Sequence, residues 1–114
     1  MIKNTSSKKR LTHNKRMCTT RFSQMLGLMF SPRIRDISLV FVFDREKNLS
    51  FHMLFVFFPI DIIFLDKSRK VVSMQNAMPF TPLIRSKKPA KYVLECPSGT
   101  IRKSRTKIGH QITF

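Results

Sequence analysis

The chain has 114 residues, of which 42% are hydrophobic and 25% are charged. A chain of this length supports one hydrophobic core, and its 11 Phe exclude a wholly disordered protein. With 22 Lys and Arg against 6 Asp and Glu, the formal net charge of +16 predicts polyanions as partners.

The positive charge is concentrated towards the two ends of the sequence. Residues 1–22 contain seven basic residues and no acidic one, residues 23–66 contain four and five, and residues 67–114 contain eleven and one. The middle of the chain is therefore expected to be a nearly neutral body that is rich in Phe.

The first eighteen residues are predicted to form a disordered basic arm, followed by a single domain over residues 19–114. Residues 1–16 hold two isolated aliphatic side chains and show neither the period of a strand nor that of a helix. Such an arm could be a solubilising tail, a contact to nucleic acid or to an anionic membrane surface, or an organellar transit peptide.

Secondary-structure signals begin after this arm. A short helix is predicted over residues 22–29, because apolar residues recur there at one helix face. The unbroken apolar residues 39–43, followed by polar residues 44–48, predict a buried strand and its loop. Residues 51–65 are predicted to form two strands that meet at Pro59.

The second half of the chain predicts further strands. The polar residues 66–69 separate two β-prone runs, residues 60–65 and 70–74, which are expected to form an antiparallel hairpin. A loop with three prolines leads to a short strand at residues 92–95, and a last strand ends at Phe114. The predicted fold class is mainly β (β-rich α+β), a small barrel or sandwich of about seven short, mostly antiparallel strands with one short N-terminal helix.

Five blocks of the sequence occur in a familiar order: GLMF at 27–30, SLVFVF at 38–43, PIDIIFLD at 59–66, YVLECPSG at 92–99 and KIGHQITF at 107–114. Over about residues 21–114, this collinear series resembles the domain-of-unknown-function 192 family. The resemblance implies a compact, mainly β fold with a short helix carrying the GLM motif. It implies no established activity, cofactor or catalytic residue.

The chain departs from the family pattern at three places, one of which is His110 in place of the usual Asp after the last glycine. The family commonly has Phe-Trp-Met, a basic residue, Asn and Thr before the proline, whereas Phe51 and Met53 are followed here by the apolar residues 54–56. This departure argues against a polar site at that position. Ser68 and Arg69 replace the usual Asp-Gly of the hairpin turn, which should cost about 1 kcal/mol if the turn keeps its shape.

Asp61 is the strongest single candidate for a site residue, because a carboxylate between two isoleucines needs donors or a cation. It is expected to be either a structural carboxylate satisfied by N–H groups or one Lys, or a group that contacts ligand or transfers a proton. His52 could face it as an acid–base partner, and Phe51 and Met53 complete this candidate ligand site. No nucleophile accompanies them, so no catalytic residue is predicted.

The two cysteines, Cys18 and Cys96, are expected to be free thiols in a reducing compartment. Their spacing fits no metal site, and the isolated glycines form no phosphate-binding loop, so no metal and no cofactor are expected. The sequence shows no signal peptide and no apolar stretch long enough to span a membrane, which predicts a cytoplasmic location.

Two classes of function follow. The leading one is a non-enzymatic binding or accessory module that contacts a polyanion such as RNA or a ribonucleoprotein. Because the phenylalanines are expected to be needed in the core, none is left to stack on bases. The module is therefore expected to contact only the phosphates, without sequence specificity. The alternative is a small-ligand pocket protein, with or without hydrolytic activity, centred on residues 51–61. The predicted polyanion contacts are Lys8, Lys9, Arg10, Lys15, Arg16, Arg102, Lys103, Arg105 and Lys107.

Overall fold

A five-stranded sheet forms the centre of the computed structural model, which describes residues 1–19, 35–51, 53 and 56–114. In spatial order its strands are β3 (Asn14–Cys18), β4 (Ile37–Lys47), β9 (Ala90–Pro97), β6 (Ile60–Leu65) and β7 (Val71–Ala77). β3 runs parallel to β4, and the other neighbours are antiparallel. Every residue of β6 is buried, because both faces of the sheet are covered.

Two smaller sheets and a helix complete the described structure. The three-stranded antiparallel sheet consists of β10 (Ile112–Thr113), β1 (Ile2–Asn4) and β2 (Lys9–Thr12), with β1 in the middle. The two-stranded sheet pairs β5 (Ser50–Phe51) with β8 (Ile84–Arg85). The helix α1 (Thr100–Ser104) follows β9 after a tight turn.

The central sheet has a separate apolar core on each face, because side chains alternate between the faces along a strand. Met53, Val56 and Ile84 pack against one face, where they meet residues such as Leu39 and Ile62. The three-stranded sheet covers the other face. Its apolar side chains Ile2, Leu11 and Ile112 pack there with seven buried residues of the central sheet, which are Val40, Ile63, Leu65, Val71, Tyr92, Leu94 and Cys96.

Several expectations from the sequence are confirmed. The described structure is rich in strands that are mostly antiparallel, and β6 and β7 form the predicted hairpin with Ile60 opposite Ala77 and Phe64 opposite Ser73. The polar residues 44–47, however, continue β4 instead of forming a loop. The predicted helix over residues 22–29 lies outside the described residues.

The prediction of a disordered arm is wrong for residues 2–18, which contain β1, β2 and β3. Ile2 is fully buried, and Leu11 is also part of the core. The strands form because their partners are distant in sequence: Lys3 pairs with Thr113, and Arg16 pairs with Leu39. Ile2 and Leu11 are too far apart in the sequence to show a hydrophobic period. Each nevertheless packs into a core to which distant segments supply the other side chains.

Candidate functional site

The two ends of the chain meet on one side of the molecule. β2 packs beside α1, although about ninety residues separate them in sequence. Ser7 Oγ donates a hydrogen bond to the Ser104 carbonyl at 2.7 Å, and Asn4 Nδ2 donates to Thr106 Oγ1 at 3.1 Å. Asn4 Nδ2 also lies 3.0 Å from His110 Nδ1, which fixes the last turn of the chain to the β1–β2 hairpin.

The basic residues of both ends therefore contribute to one region, which we call the terminal basic surface. All of its members are exposed. They are Lys8, Lys9 and Arg10 from the hairpin, and Arg102, Lys103, Arg105 and Lys107 from α1 and the segment after it. The remaining predicted contacts, Lys15 and Arg16, are exposed on β3, the edge strand of the central sheet.

Acidic residues do little to neutralise this surface. Asp61 and Glu95 are buried, and the other four acids have partners that are not members of this surface. These partners are His13 for Asp36, Lys47 for Asp44, the Lys67 N–H for Glu46, and the N–H groups of Ser68 and Lys70 for Asp66. Asp36 is the acid close to this surface, since its pKa is lowered first by the hydrogen bond from the His13 N–H and to a smaller extent by Arg10.

Asp61 lies on β6 with its side chain towards α1, and it is only 3% exposed. Its Oδ1 accepts a hydrogen bond from Asn76 Nδ2 at 2.8 Å, and its Oδ2 accepts one from the Ile101 N–H at 2.8 Å. Asn76 Nδ2 also donates to Ser98 Oγ at 2.8 Å. The carboxylate thus joins β6, β7 and the first turn of α1, and both of its oxygens have a donor.

Two clefts meet at Ser98, beside this group. The first has a volume of about 530 Å³ and is lined by Asp61, Asn76, Ser98 and Arg102 among others. The second, of about 460 Å³, extends to the other side of Ser98. It is lined by Arg35, Asp36, Phe58, Pro59, Pro97, Ser98 and Lys103. Both clefts therefore reach α1 and its basic side chains.

The structure does not bring together the other residues of the predicted ligand site. Met53 is 1% exposed and packs in the core on the opposite face of the sheet from Asp61. Phe51 pairs through its backbone with Ile84, and His52 lies outside the described residues. An acid–base pair of His52 and Asp61 therefore stays a prediction, because the structure gives no distance between the two side chains.

Glu95 is a buried acid that was not predicted from the sequence. It pairs across the sheet with Leu39 and Ile62, so its side chain points to the same face as the Met53 core. Its Oε2 has no hydrogen-bond partner among the described residues. Burial raises its pKa to about 7, against a smaller lowering by Arg16. Glu95 is, like Asp61, a carboxylate in an apolar run, and this signal could have identified it.

The two thiols are both buried, and neither is in a disulfide. Ser38 Oγ donates to Cys96 Sγ at 3.2 Å, but burial still raises the pKa of Cys96 to about 12. The pKa of Cys18 is also raised by burial, since its side chain is 1% exposed. Because the thiolate is the reactive form, these positions favour packing over chemistry.

Two aromatic residues lie on the surface, contrary to the expectation that the phenylalanines are needed in the core. Phe57 is 58% exposed and Phe80 is 51% exposed.

Within the described ranges, no three His, Cys, Asp or Glu side chains are grouped closely enough to hold a metal ion. No helix in those ranges has the length and apolar character needed to cross a membrane.

Comparison with known sequences identifies one family. The family model of DUF192, described as an uncharacterized ACR, matches residues 2–114. A UPF0127 protein of Thermococcus sibiricus is 37% identical over 116 residues, which cover all of this chain and 74% of that protein. A UPF0127 protein of Pyrococcus furiosus is 33% identical over 91 residues, covering 80% of this chain and 78% of that protein.

Two solved structures have a similar fold. A candidate transcription regulator from Sinorhizobium meliloti superimposes with a TM-score of 0.82 at 22% identity, covering 87% of this chain and 79% of that one. A protein of unknown function from Novosphingobium aromaticivorans also gives 0.82, at 25% identity, covering 88% of this chain and 74% of that one. These similarities agree with the mainly β architecture described above.

Proposed function

The chain belongs to the domain-of-unknown-function 192 family, and we propose that this member is a non-enzymatic binding module whose terminal basic surface contacts a polyanion such as RNA. One observation carries the proposal. The hairpin, α1 and the segment after α1, which come from opposite ends of the sequence, contribute seven exposed basic side chains to one region.

The physical reason is electrostatic. Bringing like charges together opposes folding, and within the described residues no member of this surface takes part in a side-chain ion pair. Phosphate groups would neutralise these charges and release the counterions condensed on the nucleic acid, so binding becomes more favourable as the salt concentration falls. The helix C-terminus also favours Arg102 and Lys103, but this local effect does not account for the charges on β2.

The mode of contact follows from the residue types. Lys and Arg side chains on a surface hairpin and a five-residue helix reach backbone phosphates, and such contacts carry no base information. We therefore expect affinity that depends strongly on salt and weakly on nucleotide sequence. A solvated basic face that binds nothing is the simplest competing interpretation.

Two triple variants and a control separate these possibilities. One variant replaces Lys8, Lys9 and Arg10 with Gln, and another replaces Arg102, Lys103 and Arg105. The control replaces Arg45, Lys87 and Lys88, which are exposed towards the opposite end of β4 and β9, and removes the same amount of charge. Binding of a labelled RNA is measured by fluorescence anisotropy over a series of salt concentrations.

If the proposal holds, each variant of the terminal basic surface lowers the slope of log affinity against log salt by about 0.7 to 0.9 for every phosphate that it no longer neutralises. The control should keep the wild-type slope. Equal reductions in all three variants would indicate a net-charge effect without a site, and no salt-dependent binding by the wild type would refute the proposal.

A second candidate function, binding of a small anionic ligand, is favoured by the cleft of about 530 Å³ over Asp61 and Arg102. Hydrolysis is not favoured, because the group that contacts the Ser98 hydroxyl is the amide of Asn76. This amide donates to both Asp61 and Ser98, and it is not a base that could take the hydroxyl proton of Ser98. Thermal shifts with inorganic phosphate and dicarboxylic acids would test this candidate. Protection of the wild type that Arg102→Gln loses would support it, and no protection would contradict it.

A further inference from the structure

Phe57 and Phe80 form an exposed aromatic pair. Their ring centroids are 5.3 Å apart and their planes are inclined at 79°, yet more than half of each side chain is accessible to solvent. Phenylalanine has no polar atom that would favour exposure, and burying such a ring stabilises a fold by roughly 1.5 to 3 kcal/mol. Two neighbouring exposed rings therefore indicate a surface with a partner.

The backbone holds Phe80 in this position. Its φ is 63°, in the left-handed region that residues with a side chain adopt at a cost of about 1 to 2 kcal/mol. The Phe80 N–H donates to the carbonyl of the buried Met53 at 2.9 Å, and the Met53 N–H donates to the Thr81 carbonyl at 2.6 Å. The loop is thus anchored to the core in a conformation that glycine or asparagine would adopt more readily.

Phe57 of this aromatic pair lies next in sequence to the wall of a cleft that reaches the terminal basic surface. Phe57 is followed directly by Phe58 and Pro59, which line the cleft of about 460 Å³. The other wall of that cleft includes Arg35 and Lys103, the latter a member of the terminal basic surface. A cleft with cationic side chains therefore leads from the terminal basic surface to the residues that directly follow Phe57.

We propose that this surface binds single-stranded nucleic acid, with phosphates on the terminal basic surface and unpaired bases stacked on Phe57 and Phe80. The inference rests on the proposed function and names its substrate class. Aromatic side chains beside a basic groove are the combination that single-strand binding uses, because every base offers a ring face whatever its sequence. A duplex has its bases already stacked, so it would contact the cations and leave the rings unused.

The test separates bases from phosphates. Three RNA probes of equal length are compared by fluorescence anisotropy at low salt: a single strand, its duplex, and an abasic strand with the same number of phosphates. We expect the wild type to prefer the single strand over the abasic strand by about tenfold or more, since stacking contributes roughly 1 to 3 kcal/mol per base. Vesicles containing anionic lipid form a fourth probe.

Variants then locate the preference. Phe80→Asn removes the ring but accepts the left-handed backbone, so it should melt at or near the wild-type temperature and lose most of the preference for the base-bearing strand. Phe57→Leu should behave alike, and Phe80→Tyr should retain binding. Leu83→Ala is the matched control, because Leu83 is a 51% exposed apolar residue of the same loop without a ring.

The outcomes distinguish this inference from the function on which it rests. Salt-dependent binding that is equal for base-bearing and abasic strands, and unchanged in Phe80→Asn and Phe57→Leu, would overturn stacking but leave the polyanion proposal intact. No salt-dependent binding of any RNA probe would overturn both. Binding of anionic vesicles without binding of RNA would assign the surface to a membrane and overturn the inference.

Discussion

Asp61 and Glu95 direct their carboxylates to opposite faces of the central sheet, although they lie on adjacent strands. Asp61 pairs with Cys96, and Glu95 pairs with Ile62, so the alternation of side chains separates the two acids. Asp61 has a donor for each oxygen, whereas Glu95 Oε2 has none among the described groups. Hydrogen bonds therefore offset the burial of both oxygens of Asp61, whereas one buried oxygen of Glu95 has no such bond among the described groups.

Glu95 should make the stability of the protein depend on pH. Burial raises its pKa from the ordinary 4.5 to about 7, so the folded protein retains a proton that the unfolded chain releases. The stabilisation of the protonated form is complete below about pH 4.5, is lost progressively up to about pH 7, and changes no further above it. The total loss should not exceed about 3 kcal/mol.

Urea unfolding of the wild type and Glu95→Gln between about pH 5 and about pH 8 measures this contribution. The difference between the two proteins isolates Glu95, because every other titrating group is common to both. Asp44→Asn is the control, since Lys47 lowers the pKa of this exposed acid and moves its titration away from the window. An equal pH slope in the wild type and Glu95→Gln would show that Glu95 is compensated in the folded protein.

Asp61→Asn should destabilise the fold by roughly 1 to 3 kcal/mol. The substitution replaces one acceptor oxygen with a donor, so either Asn76 Nδ2 or the Ile101 N–H loses its acceptor in a buried place. Ser98→Ala is the matched control, because it removes the other acceptor of Asn76 at an exposed residue and should cost much less. A stable Asp61→Asn that has lost a ligand response would instead assign Asp61 to a functional site.

The sequence predicted those parts of the fold whose signals are local. The hairpin of β6 and β7 was recognisable because a short polar segment separates two runs of β-prone residues. β1 and β2 were not, since each contributes few apolar residues and their burial depends on distant strands such as β10. A hydrophobic period can be recognised only where one segment contains several apolar residues. A strand with one or two apolar residues can still pair with distant strands.

The candidate site shows the same division. The basic residues at both ends were identified from composition, but their meeting in one surface depends on the packing of β2 beside α1. Met53 and Asp61 were grouped by proximity in sequence, and the sheet between them places their side chains on opposite faces. Phe80 combines a left-handed backbone with an exposed ring, and no local pattern indicated either.

The first strand should be essential for stability, contrary to what an arm would show. Ile2 is fully buried between the two sheets, so Ile2→Ala should destabilise the protein by about 2 to 5 kcal/mol. Lys3→Ala is the control, because the next residue of the same strand is exposed and should change stability by less than about 0.5 kcal/mol. Equal melting temperatures for Ile2→Ala and the wild type would show that β1 does not dock in solution.

Arg69 is predicted to combine an unfavourable backbone with a favourable side chain. Its φ is 64° in the turn between β6 and β7, where glycine would be more stable by about 1 kcal/mol. Its guanidinium carbon, however, lies 3.9 Å from the centroid of the Phe114 ring and 5.3 Å from that of Tyr92. Such cation–π contacts contribute about 0.5 to 1 kcal/mol each at exposed sites.

Arg69→Gly should therefore change the stability of the wild type little, but should stabilise Phe114→Leu, in which the nearer ring is absent. A double-mutant cycle by urea unfolding measures the coupling, expected at about 0.5 to 1 kcal/mol. Lys15, whose Nζ is 5.9 Å from the same ring centroid, provides the comparison, and the cycle of Lys15→Gln with Phe114→Leu should give a smaller coupling. Additive effects of Arg69→Gly and Phe114→Leu would show that the ring does not offset the backbone strain of this turn.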